Sequence, residues 1–287
     1  MSSMIRVNAA LTRMCWCADI PAPRLPAPAS EKAKLTRFSG SGAARGPYGE
    51  FLWYGLKPGA SFAGLANSSA AIPPVALPFT ITLDHWRLWI KQNPSFDWFT
   101  LNTASFERGF RESQEKFHAV IGTDDPNLSK FRAHGGKIIT YHGWADQLIF
   151  PEGSIDYFDR VVAANGGLKR VQDFERLFMV PGMNHCAGGA GADNFGQSGV
   201  VPVSLDPEHD AVLALQRWVE QGVAPNMLIA TTDQPVATHA AENPTQPSTF
   251  TRPLCPYPEE AQYKGAGDPT NAANFVCRAT ATEQTGR

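Results

Sequence analysis

Charge of either sign is scarce: 18% of residues are charged, and Lys+Arg 25 against Asp+Glu 27 leaves a formal net charge of -2. A chain so balanced has no basic field to hold a phosphate backbone or an anionic bilayer, which excludes nucleic acid as an expected partner. Long apolar runs are also missing. The most apolar stretches, such as residues 71–77, are short and broken by proline, far below the ~18 residues of a membrane span, so no membrane partner is expected. Residues 1–17 carry Arg6 and Arg13 but no apolar block, and no signal peptide is recognised there. No fixed-period repeat occurs, which sets aside solenoids and propellers. His85, His118, His134, His142, His185, His209 and His239 show no His-x-x-x-His or related spacing, so no metal site is expected.

Present in excess are the residues of loops, Gly 25 and Pro 23, in a chain of 287 residues that suits one α/β domain with insertions. Residues 1–80 mix Pro-rich, Gly/Ser-rich and aromatic patches with little periodicity beyond a short helix at 30–38, and read as an excursion packed over something else. Leu83, Trp86, Leu88, Trp89 and Ile90 suit a helix over 82–92 that Asn93-Pro94 ends, and 106–117 reads as another. From there the pattern alternates. A helix at 128–134 stops at Gly135-Gly136, a buried strand follows at 137–141, a helix at 154–164 closes at Gly166-Gly167, a strand at 176–180 ends at Pro181-Gly182, and an amphipathic helix over 207–221 stops at Gly222. Strand and helix in alternation indicate the α/β class with a parallel sheet.

In such sheets chemistry gathers at the carboxyl ends of the strands. Asp146 and His185 each follow one. A carboxylate there can fix the tautomer of an imidazole so that its Nε2 takes a proton from a nucleophile, and the order acid then histidine fits the Ser, Asp, His order of α/β-hydrolases. Both residues also have plainer readings: Asp146 as the cap of the turn that follows it, His185 as a structural loop histidine. Trp53, Tyr54, Trp86, Trp89 and Trp98 could line an aromatic pocket or simply fill a core. Asp124-Asp125 with Asn127 looks like a cation site only superficially; capping ahead of Leu128 explains it better.

At His142-Gly143-Trp144-Ala145-Asp146 and Pro181-Gly182-Met183-Asn184-His185-Cys186 the chain resembles the tannase and feruloyl esterase family of α/β-hydrolases. The resemblance extends from residues 51–56 through Phe96-Asp97-Trp98, the segment 122–128, Gly135-Gly136-Lys137 and the run between Cys255 and Cys277. It implies a serine carboxylesterase acting on small-molecule esters of aromatic acids, with Asp146 as triad acid and His185 as base. It further implies that residues 1–120 are part of an inserted lid domain with its connections, and that 121–287 are the C-terminal part of the α/β-hydrolase core. Cys255 and Cys277 would form one family disulfide. Cys186 would be joined to a cysteine just before the nucleophilic serine, a partner absent from this chain, and such disulfides suggest a secreted or periplasmic protein.

The nucleophile departs from the family. No Gly-x-Ser-x-Gly elbow occurs. Ser39, Ser41, Ser61 and Ser198 lack the spacing, a preceding cysteine or a strand before them. Nor is there the Asp-rich calcium loop of many family lids, so no cofactor is expected. The expectation is a C-terminal portion that is inactive by itself because it lacks serine and oxyanion donors. The alternative is a non-catalytic remnant that binds aromatic compounds or a complementary N-terminal chain. Five cysteines, an odd number, agree with an orphaned Cys186, although a link to Cys15 or Cys17 is also conceivable. Nothing in the sequence sets an oligomeric state.

Overall fold

A computed structural model describes residues 42–62, 64–197, 204–232 and 250–279. The expected helix at 30–38, together with Cys15, Cys17, Ser39, Ser41, Ser198 and His239, lies outside them. Among the described residues the chain divides into two units, one from 126–144 and 156–279, the other from 42–125 and 145–155.

The first unit is organised by two parallel strands, β5 (Ile138–Gly143) and β6 (Glu175–Val180), joined through the helix Glu152–Ala164 and a short turn of helix at Leu168–Val171. Parallel strands need such a crossover, and β6, apolar from Leu177 to Val180, is the more deeply buried of the two. Leu177, Phe178 and Val180 are all at or below 1% exposure. Phe178 and Val180 enter one apolar cluster with Ile139, Phe195, Leu228, Ala230 and Leu254. The helix Ala211–Gln221 supplies Ala211, Ala214, Leu215 and Trp218 to the same cluster, the spacing of one helical face. Each large side chain so buried contributes about 1.5–3 kcal/mol. This helix begins later than the sequence pattern suggested. Asp210 is its cap, its Oδ1 accepting from the amides of Val212 at 2.8 Å and Leu213 at 2.9 Å, so the preceding residues cannot extend it.

Four strands of this unit carried no sequence expectation. β7 (Leu228–Thr231) pairs antiparallel with β8 (Thr251–Leu254), and β9 (Glu259–Tyr263) with β10 (Phe275–Ala279). They are too short and too mixed in polarity for alternation to announce them. Cys255, directly after β8, is bonded to Cys277 in β10, which is the disulfide expected from the resemblance. Beside it, the Tyr257 amide donates to the Leu177 carbonyl at 2.7 Å, which ties the stapled hairpin to β6.

In the second unit β1 (Ala44–Arg45) pairs with β2 (Phe51–Trp53) and β3 (Ala66–Ser68) with β4 (Ala76–Pro78), both antiparallel. Helical structure follows over Thr80–Asp84 and His85–Ile90, close to the expected 82–92. The next helix is Thr103–Ile121, longer than the expected 106–117. A capping box starts it early: Asn102 Oδ1 accepts from the Ser105 amide at 2.9 Å while Ser105 Oγ accepts from the Asn102 amide at 2.8 Å. Trp86 is 2% exposed and lies against Phe96 and Phe106, with centroids 6.1 and 5.9 Å away. A Cβ at Gly109 would come within 2.2 Å of its ring, so that glycine is where the helix lets the indole in. Trp86 is therefore core, whereas Trp89 is 41% exposed. Asp124 faces His118 Nε2 at 3.6 Å, and Asn127 Oδ1 accepts from Ser129 Oγ at 2.6 Å.

Glu175 is the costly residue of the first unit. It opens β6 at 1% exposure, and one of its oxygens, Oε2, has no hydrogen-bond partner. Burial pushes its carboxyl up to about 7 from an ordinary 4.5, opposed by the Thr140 hydroxyl at 3.4 Å. The folded state thus holds the proton more tightly than the unfolded one. Stability from this group is fully present below about pH 4.5 and is lost as pH rises through about 7. Glu175→Gln is expected to flatten that fall and to stabilise the protein at pH 8 by about 1–3 kcal/mol. Urea unfolding at pH 5 and pH 8 reads it, and a slope equal to that of the parent would refute the assignment. The Cys255–Cys277 loop, 22 residues in separation, predicts a loss of about 3 kcal/mol in Cys255→Ser, with the variant insensitive to reductant.

Candidate active site

Register fixes where the two strands stop. Gly143 pairs with Val180, and the Trp144 amide donates to the Val180 carbonyl at 2.9 Å, so β5 and β6 end level. A Cβ on Gly143 would meet the Met183 carbonyl oxygen at 2.2 Å and the Asn184 carbonyl oxygen at 2.7 Å. Only glycine lets the chain leaving β6 cross so close to the end of β5, which is a physical reason for the glycine in the first motif. His142, buried at 8%, is the last side chain of β5 before it.

Asp146 follows β5 in a turn and is 3% exposed. Its Oδ1 accepts from two amides, Leu148 at 2.8 Å and Ile149 at 2.9 Å. The capping role weighed from sequence is therefore real, and it fixes the carboxylate's orientation with backbone donors. Asp146 belongs to the second unit. His185 belongs to the first, half-buried in a Gly-rich loop after β6. That loop folds back on itself: the Asn184 amide donates to the Gly188 carbonyl at 2.9 Å, and Met183 bridges to Gly189. Cys186, exposed, sits at φ 66, a left-handed conformation uncommon outside glycine. Ser61, the one expected-against serine of the first eighty residues that is described, lies in irregular chain between β2 and β3, where no strand leads into a helix.

Among the imidazoles the sequence did not single out, His209 and His85 meet polar side chains at hydrogen-bond distance. His209 Nδ1 is 2.9 Å from both oxygens of Asp206. That carboxyl is held well below the usual carboxylate range by hydrogen bonds from Ser204 and then His209. It is a local pairing within one turn, readable in principle from Asp-x-x-His. His85 Nε2 is 2.8 Å from Ser113 Oγ, and burial lowers its pKa from the ordinary imidazole value. This contact joins residues distant in sequence, so no local signal could have found it. Among the described residues, no group of three or more His, Cys, Asp or Glu could hold a metal ion, and no helix is long and apolar enough to cross a membrane.

Comparison with known proteins places these loops in a family. Residues 64–278 match the family model described as tannase and feruloyl esterase. A probable feruloyl esterase from Arthroderma benhamiae is 38% identical over 228 residues, covering 79% of this chain and 38% of that protein. A mono(2-hydroxyethyl) terephthalate hydrolase from Piscinibacter sakaiensis is 36% identical over 209 residues, covering 73% of this chain and 29% of that one. The chain thus spans well under half the length of these relatives. In three dimensions it is similar to feruloyl esterase B from Aspergillus oryzae, with TM-score 0.69 and 27% identity over 86% of this chain and 46% of that chain. With its parallel β5–β6 pair and intervening helix, the chain belongs to the tannase and feruloyl esterase family, of α/β-hydrolase type.

Proposed function

We propose that this chain supplies the acid and the base of a serine carboxylesterase acting on small esters of aromatic acids. The observation that carries the reading is topological. The two family motifs occupy the loops that leave the level carboxyl ends of adjacent parallel strands, where α/β enzymes assemble their chemistry. In this mechanism His185 Nε2 takes the proton of a serine hydroxyl as its oxygen attacks the ester carbonyl. The tetrahedral intermediate collapses with cleavage of the ester C–O bond, and His185 returns the proton to the departing alcohol. Water, deprotonated by the same imidazole, then cleaves the acyl-enzyme. Asp146, already oriented by two backbone donors, fixes the tautomer of His185 and stabilises its charged form.

The serine comes from sequence beyond these 287 residues, since no elbow occurs within them, and the chain alone is inactive. In this reading residues 1–120 are assigned to part of the family's lid domain and its connections, and 121–287 to the C-terminal part of the hydrolase core. Cys186 is joined to a cysteine beside that serine, which suits an exported protein. No cofactor is needed, because proton transfer and covalent catalysis use side chains only. The names of the relatives, a feruloyl esterase and a terephthalate ester hydrolase, favour aromatic acyl groups.

Assay of a version extended to include the elbow serine, on p-nitrophenyl and feruloyl esters, tests this directly. His185→Ala is expected to lower kcat/KM on the order of 10⁴-fold or more. Unchanged turnover in that variant refutes the base assignment. Asp146 separates structure from catalysis. Asp146→Asn keeps an oxygen for both amides and should unfold within ~0.5 kcal/mol of the parent while losing kcat about as strongly as His185→Ala. Asp146→Ala should in addition be destabilised by about 1–3 kcal/mol, read by urea unfolding.

A further inference from the structure

Behind the histidine loop lies a group of buried polar side chains that the triad does not use. Asp193, Asn194 and Gln197 are 7%, 2% and 1% exposed. Polar groups so deeply buried are retained when they are bonded, and these bonds have a direction. The Asn194 amide donates to the Thr231 carbonyl of β7 at 3.0 Å, and the Thr231 amide donates back at 2.9 Å. The Ala211 amide, which opens the helix Ala211–Gln221, donates to the Phe195 carbonyl at 2.9 Å. The Phe195 ring is fully buried, edge-on to Tyr141 with centroids 5.2 Å apart. The turn 193–197 is therefore fixed to a strand, a helix and the core.

From this fixed turn two bonds reach the loop that carries His185. Asp193 Oδ2 accepts from the Gly188 amide at 2.6 Å. Gln197 Nε2 donates to the Cys186 carbonyl at 3.5 Å and to the Asp193 carbonyl, while its Oε1 accepts from the Phe195 amide at 3.0 Å. The anchored residues flank the imidazole on its C-terminal side, at the neighbour and at the hairpin's far end. At the first of them, Cys186, the backbone takes the left-handed conformation, φ 66, which costs of order 1 kcal/mol and persists only where surrounding contacts over-determine it. A charge-assisted amide–carboxylate bond is about twice as strong as a neutral one, enough to hold such a turn.

We propose that Asp193 and Gln197 are positioning residues for His185. They select the one conformation of the 184–188 turn that presents the imidazole beyond the carboxyl end of β6. The proposal rests on the reading of His185 as base, for which a displacement of ~1 Å costs about 10²-fold in rate, but it concerns ring placement and can be measured without turnover.

The test is NMR of the full chain labelled at histidine, with the His185 ring resonance assigned by its disappearance in His185→Gln. His209, held by Asp206 in another turn, is the internal control. In Asp193→Ala and in Gln197→Leu the His185 Cε1–Hε1 signal is expected to shift or split while that of His209 stays in place. The Gly188 amide is expected to exchange about tenfold faster or more in Asp193→Ala. Asp193→Asn, which keeps an acceptor oxygen, should restore most of the parent His185 signal. Should either apolar variant fail to fold, Gln197→Glu retains the acceptor for Phe195 and removes the donor to the Cys186 and Asp193 carbonyls, and it should still move the His185 signal. A His185 resonance identical to the parent's in every variant overturns the proposal, and so does movement of His185 and His209 together, which is general loss of structure. In the extended enzyme Gln197→Glu should lower kcat about tenfold with KM unchanged, the size a fraction of that displacement cost. If His185→Ala keeps full turnover while these variants still move the His185 signal, the positioning stands and the role as base falls.

Discussion

The register of the β5–β6 ladder governs the rest of the first unit. Parallel pairing of Ile138 with Glu175 through to Gly143 with Val180 makes the two strands end at one level. Both following loops then start from the same rim, and the absence of a side chain at Gly143 lets the second pass directly over the end of the first. Any Cβ there would force the Met183–Asn184 backbone outward, and the histidine loop with it. The geometry of the rim is thus set by hydrogen-bond registry and one missing methyl group, before any polar side chain contributes.

Behind that rim the unit is graded from apolar to polar. Phe178, Val180, Phe195, Leu215 and Trp218 form a core whose burial supplies the stability. Polar groups are admitted where they bond to fixed backbone: Asp210 at a helix start, Asn194 against β7, and Asp193 and Gln197 under the loop. Glu175 is the exception. At the amino end of β6, away from the rim, it is buried with one oxygen unbonded, and burial holds its proton on into the neutral range. A buried acid of this kind opposes stability and makes it depend on pH, while lying at the opposite end of the ladder from the loops that carry the motifs.

The parts of this architecture legible in the sequence are those with local causes. Glycine pairs end the helices before β5 and β6, apolar runs give both strands, and Val212, Leu215, Trp218 and Val219 give the last helix, although its buried face is Ala211, Ala214, Leu215 and Trp218, with Val212 and Val219 exposed. Asp146 and His185 could be named because each follows such a strand. Less legible were the starts of helices, since a capping box at Asn102 and Ser105 or a cap at Asp210 competes with the apolar pattern that suggests a boundary elsewhere. The short strands β7 to β10 were silent for a further reason. Their pairing is decided by partners remote in sequence, such as Leu228 with Leu254, and not by propensity.

From sequence alone came the expectation of the α/β class, the family motifs, the Cys255–Cys277 bridge as implied by resemblance, and the lack of any Gly-x-Ser-x-Gly elbow in these residues. Composition, periodicity and motif spacing are properties of the chain read in order, so they survive without coordinates. Tertiary structure alone decided which polar residues are buried and what they hold. Asp193, Gln197 and Glu175 carry no motif or periodicity that singles them out. Only folding, which brings Thr231 and Ala211 against the 193–197 turn and removes water from all three side chains, gives them their partners. Burial and long-range hydrogen bonding depend on the whole chain at once, and no window of sequence contains them.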